Sequence, residues 1–210
     1  PGRKMYPGGN AMPSSRGLLG TRAESASTTP VVTPFMPEAA PEVEPEDIIG
    51  DDNRQRVNNT LLFPWSTMGK IFMWFPDDDQ PWTASGGLIT SFHVLTAGHV
   101  VYNHDLGGWA TDVEFVPGMD GDYEPFTSWW DYDIRTKAGW VEYQDPDYDW
   151  GLVTLEYPVG DVVGFLGYAY YDANWYPNKV LQLTGYPGDL EDGFAMYNSQ
   201  GLGTFADDLS

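Results

Sequence analysis

From residue 48 onward the sequence is a succession of short apolar or alternating runs divided by Gly, Pro, Asn and Asp, with no helical period sustained beyond two turns. Strands are expected at 70–75, 82–90, 94–96, 111–116, 134–143, 150–157, 179–186 and 195–199. Short strands at this spacing, with no helices between them, indicate an all-β antiparallel sandwich or barrel. The run Lys70-Ile71-Phe72-Met73-Trp74-Phe75 is expected to be closed by Pro76 and the acidic triplet Asp77-Asp78-Asp79. No internal repeat of the length used by solenoids or propellers interrupts the pattern.

Residues 1–47 are different. Pro, Ser, Thr, Ala and Gly dominate, Pro30, Pro34, Pro37, Pro41 and Pro45 recur at short intervals, and the charge turns from Arg3, Lys4, Arg16 and Arg22 to Glu38, Glu42, Glu44, Glu46 and Asp47. Such a stretch cannot bury enough apolar surface to fold alone. It reads either as a disordered linker or tail, or as a propeptide with its processing site near Asp47 and Ile48.

Composition narrows the partners. With 31 acidic against 10 basic residues the formal net charge is -21, and a surface of that sign repels nucleic acid and anionic membrane alike. No run of apolar residues is long enough to span a bilayer as a helix. The absence of Cys removes disulfides, thiolate catalysis and Cys-based zinc sites together. There is no initiating Met and no apolar signal core near Pro1, so any secretion signal is expected to have been removed already.

Two stretches carry residues suited to chemistry. In Val94-Leu95-Thr96-Ala97-Gly98-His99-Val100 an apolar strand runs into small residues and delivers an imidazole. The flanking apolar groups would hold the ring still, and Ala97 and Gly98 would admit a close neighbour. His99 is then either a general base or a satisfied histidine at a strand end. In Asp147-Tyr148-Asp149-Trp150-Gly151-Leu152-Val153 a carboxylate stands directly before a strand of large apolar residues. Asp149 is either a strand-opening turn residue or the partner of a histidine N–H, fixing its tautomer and supporting the imidazolium. Asp120, Asp122 and Glu124 alternate in one loop and offer oxygens to Ca²⁺, but the ligand set is incomplete and an acidic turn without metal is the expectation. His93 and His104 lack the ligand spacing of a zinc site, and no metal is expected. The many Trp residues suit either packing or a carbohydrate-binding platform.

Together these residues resemble the chymotrypsin-like serine proteases. Thr96-Ala97-Gly98-His99 followed by Asp149-Trp150-Gly151-Leu152-Val153 is similar to the first two members of that family's triad. A closer likeness is to its glutamyl endopeptidase branch. It is carried by Ile48-Ile49-Gly50-Asp51-Asp52-Asn53-Arg54-Gln55-Arg56-Val57-Asn58-Asn59-Thr60, by Phe115-Val116-Pro117-Gly118-Met119-Asp120-Gly121 and by Leu183-Thr184-Gly185-Tyr186-Pro187-Gly188-Asp189. The resemblance implies a double antiparallel β-barrel, with a first, six-stranded barrel over 48–165 and the opening of a second over 166–210. It also implies a secreted serine endopeptidase precursor that cleaves protein or peptide substrates through an acyl-enzyme without a cofactor, with His99 as base and Asp149 as its orienting acid. Preference for Glu or Asp substrates goes with the branch.

One part of the family pattern is not matched. Nothing resembles the Gly-x-Ser-Gly segment of the nucleophile: Ser199 is followed by Gln200-Gly201, and Ser85-Gly86-Gly87 precedes the histidine. The expectation is a truncated second barrel and a chain inactive alone, the missing part explained by a complementing C-terminal segment, an internal cleavage or a partial gene. A protease-like binding module that has abandoned catalysis is the alternative, and an unrelated carbohydrate-binding β domain a more distant one.

Overall fold

The computed structural model describes residues 52–169, 175 and 179–202, all within one compact unit spanning Glu46–Ser210. In chain order the strands are β1 (Gln55–Arg56), β2 (Met68–Phe75), β3 (Asp78–Leu88), β4 (His93–Thr96), β5 (Tyr102–Asn103), β6 (Gly108–Trp109), β7 (Asp112–Pro117), β8 (Trp129–Thr136), β9 (Gly151–Leu155), β10 (Val180–Gly185) and β11 (Tyr197–Leu202). Three short helices interrupt them: α1 (Gly98–Val101), α2 (Ala138–Tyr143) and α3 (Gly160–Val163). The fold is all-β, as the strand pattern predicts.

Six strands close into an antiparallel barrel in the order β2-β3-β4-β9-β8-β7. Closure leaves no free barrel edge. Alternation along each strand sends Ile71, Met73 and Phe75 of β2, Val113 and Phe115 of β7, and Val153 and Leu155 of β9 into one core with Leu88, Val94, Val100 and Val101. Each such side chain contributes about 1.5–3 kcal/mol when fully buried, so the core fixes the strand register. A slip by one residue would turn every one of these groups outward.

The other sheet is smaller, in the order β1-β11-β10. Its link to the barrel is a second cluster of Val57, Val116, Met119, Tyr186 and Met196. Lys70, on the outer side of β2, is buried in the same joint with 1% exposure. Its Nζ donates to the Gly193 carbonyl at 2.5 Å and lies 5.6 and 4.7 Å from the ring centroids of Phe72 and Phe194. Burial lowers its pKa to about 8.

Several elements differ from the sequence expectation. The stretch 134–143, expected as one strand, is the end of β8 followed by α2; burial of Trp140 on the helix decides the matter over β propensity. The hairpin after β2 turns on Pro76 and Asp77 alone, and β3 begins at Asp78 inside the acidic triplet. β1, within the stretch assigned to the first barrel, pairs instead with β11 through Gln55 opposite Asn198 and Arg56 opposite Tyr197. Residues 1–47, with the expected processing site at Asp47 and Ile48, lie outside the described residues. Among the described residues no helix is long and apolar enough to cross a membrane.

Candidate active site

The strand order brings the two chemical stretches to one end of the barrel. β4 and β9 are antiparallel neighbours with Thr96 opposite Gly151. His99 therefore follows that last pair by three residues, and Asp149 precedes it by two. After β4 the chain passes through extended Ala97 into α1. Val100 and Val101 of this single turn are buried in the core, which leaves His99 on the outer side. Asp149 ends a 3-10 turn over Pro146–Tyr148, opened by the Asp145 side chain accepting from the Asp147 N–H.

Asp149 binds His99 twice. Its Oδ1 accepts from the His99 backbone N–H at 2.7 Å, and its Oδ2 lies 2.9 Å from His99 Nδ1. A carboxylate can only accept, so the ring proton of this contact belongs on Nδ1 and Nε2 is left as the basic nitrogen. The histidine side chain is 52% exposed and the acid 25%, so the ring reaches solvent while its anchor is shielded. Gly98 is required by closeness. A Cβ there would lie 2.8 Å from Thr136 Oγ1, 2.9 Å from Asp149 Oδ1 and 3.1 Å from Trp140 Cδ1, and would displace the acid.

His99 lines a cleft of about 490 Å³ with Ser85, Arg54, Leu183, Tyr186 and Ser199 among its walls. Neither serine serves the histidine. Ser85 Oγ accepts the Tyr186 N–H at 2.8 Å, and Ser199 Oγ bonds Asn53 Oδ1 at 2.6 Å. Arg54 donates twice to Asp189, at 2.8 and 2.6 Å, and also to Asp52. The Asp189 and Asp52 carboxylates raise its pKa still further, so Arg54 is a fixed cation with its charge already answered.

The remaining candidate groups are occupied or apart. Asp120 of the acidic loop receives Arg56 at 2.6 Å, so a guanidinium stands where the Ca²⁺ reading would put a metal. His93 Nδ1 pairs with Thr90 Oγ1 at 2.7 Å. His104 sits behind the site, its Nε2 donating to the Val141 carbonyl at 3.2 Å. Two neighbours of the pair, Thr136 and Trp140, and Arg54 on the cleft wall were not singled out by sequence. No local motif marks them, because each acts on a partner brought near only by the fold.

Against known families, the profile described as Trypsin matches residues 56–203, more than half of the chain. The chain belongs to the trypsin family. Its place in the glutamyl endopeptidase-like branch rests on one of its two curated relatives, the glutamyl endopeptidase of Bacillus licheniformis. The extracellular metalloprotease of Bacillus subtilis is 31% identical over 151 residues, which is 72% of this chain and 48% of that protein. The glutamyl endopeptidase of Bacillus licheniformis is 30% identical over 148 residues, 70% of this chain and 44% of that protein. The chain thus spans about half the length of the curated relatives it matches. Among solved structures, a Glu endopeptidase in complex with MPD superposes with a TM-score of 0.66 at 24% identity, covering 77% of this chain and 73% of that one. The protease Anisep from Arthrobacter nicotinovorans gives 0.61 at 22%, covering 73% and 69%. At these identities both likenesses show the fold.

Family membership sets aside the unrelated carbohydrate-binding domain. The name of the first relative includes a metal, yet among the described residues no three His, Cys, Asp or Glu side chains converge to hold one. Among the described residues the side chains therefore do not fit a metal centre.

Proposed function

We propose that this chain carries the general base and the orienting acid of a secreted serine endopeptidase that hydrolyses peptide bonds through an acyl-enzyme. The pair of hydrogen bonds that Asp149 accepts from the backbone and ring of His99 carries the reading. It fixes the tautomer and leaves Nε2 at the cleft to accept a proton. Nε2 takes the proton of a serine hydroxyl as that oxygen attacks the peptide carbonyl, then passes it to the departing amine. Asp149 stabilises the imidazolium formed between the two transfers. Because Ser85 and Ser199 are engaged elsewhere, the nucleophile is a serine C-terminal to Asp149 and outside the described residues, and it brings its oxyanion-binding amides with it.

On this reading residues 48–165 are the first barrel, residues 166–210 open the second, and residues 1–47 are a propeptide released by cleavage near Asp47 and Ile48. Acidic side chains are the favoured recognition element in the substrate, as the branch suggests. On this reading turnover requires that serine and its oxyanion donors, because without them most of the rate enhancement is lost.

The test is labelling of the full-length gene product with a serine-reactive phosphonate, followed by peptide hydrolysis. Labelling and turnover are expected in the wild type. His99→Ala is expected to lower kcat by about 10⁴-fold or more, and Asp149→Asn by about 10⁴-fold. Labelling and turnover that survive His99→Ala at wild-type rates would overturn the assignment.

A further inference from the structure

The pair depends on an element that the reaction itself does not use. We infer that α2 is a common mount for both members of the pair, with Trp140 as the positioning residue that keeps His99 against Asp149; this rests on the functional reading above. On the histidine side, Trp140 Nε1–H donates to the Tyr102 carbonyl at 2.8 Å, and Tyr102 is the residue that caps α1. The indole stands edge-on to the His99 ring, 6.4 Å between centroids at 62°, and its Cδ1 borders the space left open by Gly98. His104 adds a second bolt. Its ring packs on the indole at 5.4 Å and 78°, and its Nε2–H holds the carbonyl of Val141 on α2.

The acid is tied to the same helix. The Tyr148 ring lies over Gly139, where a Cβ would come within 2.6 Å of its Cγ, and the Asp145 N–H donates to the Gly139 carbonyl at 3.3 Å. Tyr148 and Asp145 are the turn that delivers Asp149. A helix of six residues with no side-chain cap does not persist by itself. Trp140 is its one buried residue, so burial of the indole holds α2, and α2 holds both ends of the His99–Asp149 contact. The chemistry needs this because a shift of the ring by about 1 Å is enough to cost a proton transfer roughly two orders of magnitude.

The experiment uses the 210-residue chain labelled with ¹⁵N-histidine and reads the His99 Nδ1 proton by NMR, assigned by its disappearance in Asp149→Ala. In the wild type this proton is expected to be protected from water. Trp140→Ala is expected to speed its exchange by about tenfold or more, and Trp140→Phe, which fills the space without the bond to Tyr102, by an intermediate amount. Gly139→Ala, pressing on Tyr148 from the acid side, is expected to act like Trp140→Ala and serves in its place if that variant does not fold. Trp109→Ala removes a different ring packed on Tyr102 and should leave the exchange within about twofold. Wild-type exchange in both Trp140→Ala and Gly139→Ala, or equal acceleration by Trp109→Ala, would overturn the inference. No turnover enters this readout. A protected proton together with failed phosphonate labelling of the full-length protein would instead reject the functional reading and leave the mount intact.

Discussion

The barrel and the three-stranded sheet share a cleft but are ordered by different forces. Every barrel strand has two neighbours, and its inward residues form one continuous apolar core. The sheet shows apolar groups to solvent instead, with Val180 67% and Leu183 78% exposed on β10. It is held to the barrel by one modest cluster, by the Tyr186 N–H on Ser85 Oγ and by Arg56 between Asp120 and Glu191, with the costly Lys70 cation buried in the joint. The difference teaches where precision is placed. His99 and Asp149 both belong to the barrel end, so the proton-transfer geometry does not depend on the sheet, which contributes the opposite wall of the cleft.

The contrast is sharpest for apolar truncation. Phe115, fully buried in the barrel, is expected to cost about 3–5 kcal/mol on Phe115→Ala, a large part of the ~5–15 kcal/mol that holds a typical domain. Leu183→Ala on β10 is expected to stay within about 0.5 kcal/mol. Urea melts of the two variants check this, and comparable losses from both would show that the sheet carries as much core as the barrel.

The joint between the regions gives the next largest effect. Lys70 has a pKa of about 8 in the folded chain against 10.5 in its absence. Above pH 8 the unfolded chain holds a proton that the folded one has released, so stability rises with pH through this window. Between pH 8 and 10 the gain is on the order of 2–3 kcal/mol. Lys70→Met is expected to raise stability at pH 7 by about 1–3 kcal/mol, because the cost of burying the charge disappears, and to flatten the rise. A wild-type profile that falls from pH 8 to 10 would contradict the burial argument. Above pH 10 the sign reverses as Tyr186, its own pKa raised by burial, stays protonated while the unfolded chain ionises.

The same contrast explains what the sequence made legible. Barrel strands were readable because alternation such as Ile71, Met73 and Phe75 is a local signal of burial. The meeting of His99 and Asp149 was not fixed by either stretch alone, since each fitted a strand-end or turn role as well; the resemblance to the protease family supplied the pairing. Lys70 was not, since it looks like the polar start of an apolar run and its partner Gly193 lies 123 residues away. β8 was expected to begin near residue 134 instead of Trp129 because Asp131 interrupts the apolar pattern; the fold accepts it by giving Oδ1 the Val113 N–H at 2.8 Å. α2 was hidden by its own residues. Ile134, Thr136, Trp140, Val141 and Tyr143 all favour strands, and only the tertiary pocket for Trp140 turns the last of them into a helix. Arg54 meets Asp189 across 135 residues, a contact no window of sequence contains.

The smallest expected effect separates the regions most cleanly. Arg56 reaches Asp120 at 2.6 Å and Glu191 at 2.9 Å, and Glu191 also accepts the Tyr197 hydroxyl at 2.8 Å. Tyr197 first, then Arg56, lowers the pKa of Glu191. These groups are partly exposed, so solvent and salt screen them and their worth is low. Yet they sit beside the bond from the Val57 N–H to the Met196 carbonyl at 2.8 Å, which ties β1 to the turn before β11. Arg56→Ala is therefore expected to leave the melting temperature nearly unchanged while speeding amide exchange at Val57 and along β11 by about fivefold or less. High salt should mimic the substitution in the wild type and add little to the variant. Amides of β4 and β9 in the barrel should not respond, because their opening requires breaking the core. Equal acceleration in β4, β9 and β11 would mean that barrel and sheet open as one body, and the separation between a fixed proton-transfer pair and a charge-held wall would have to be abandoned.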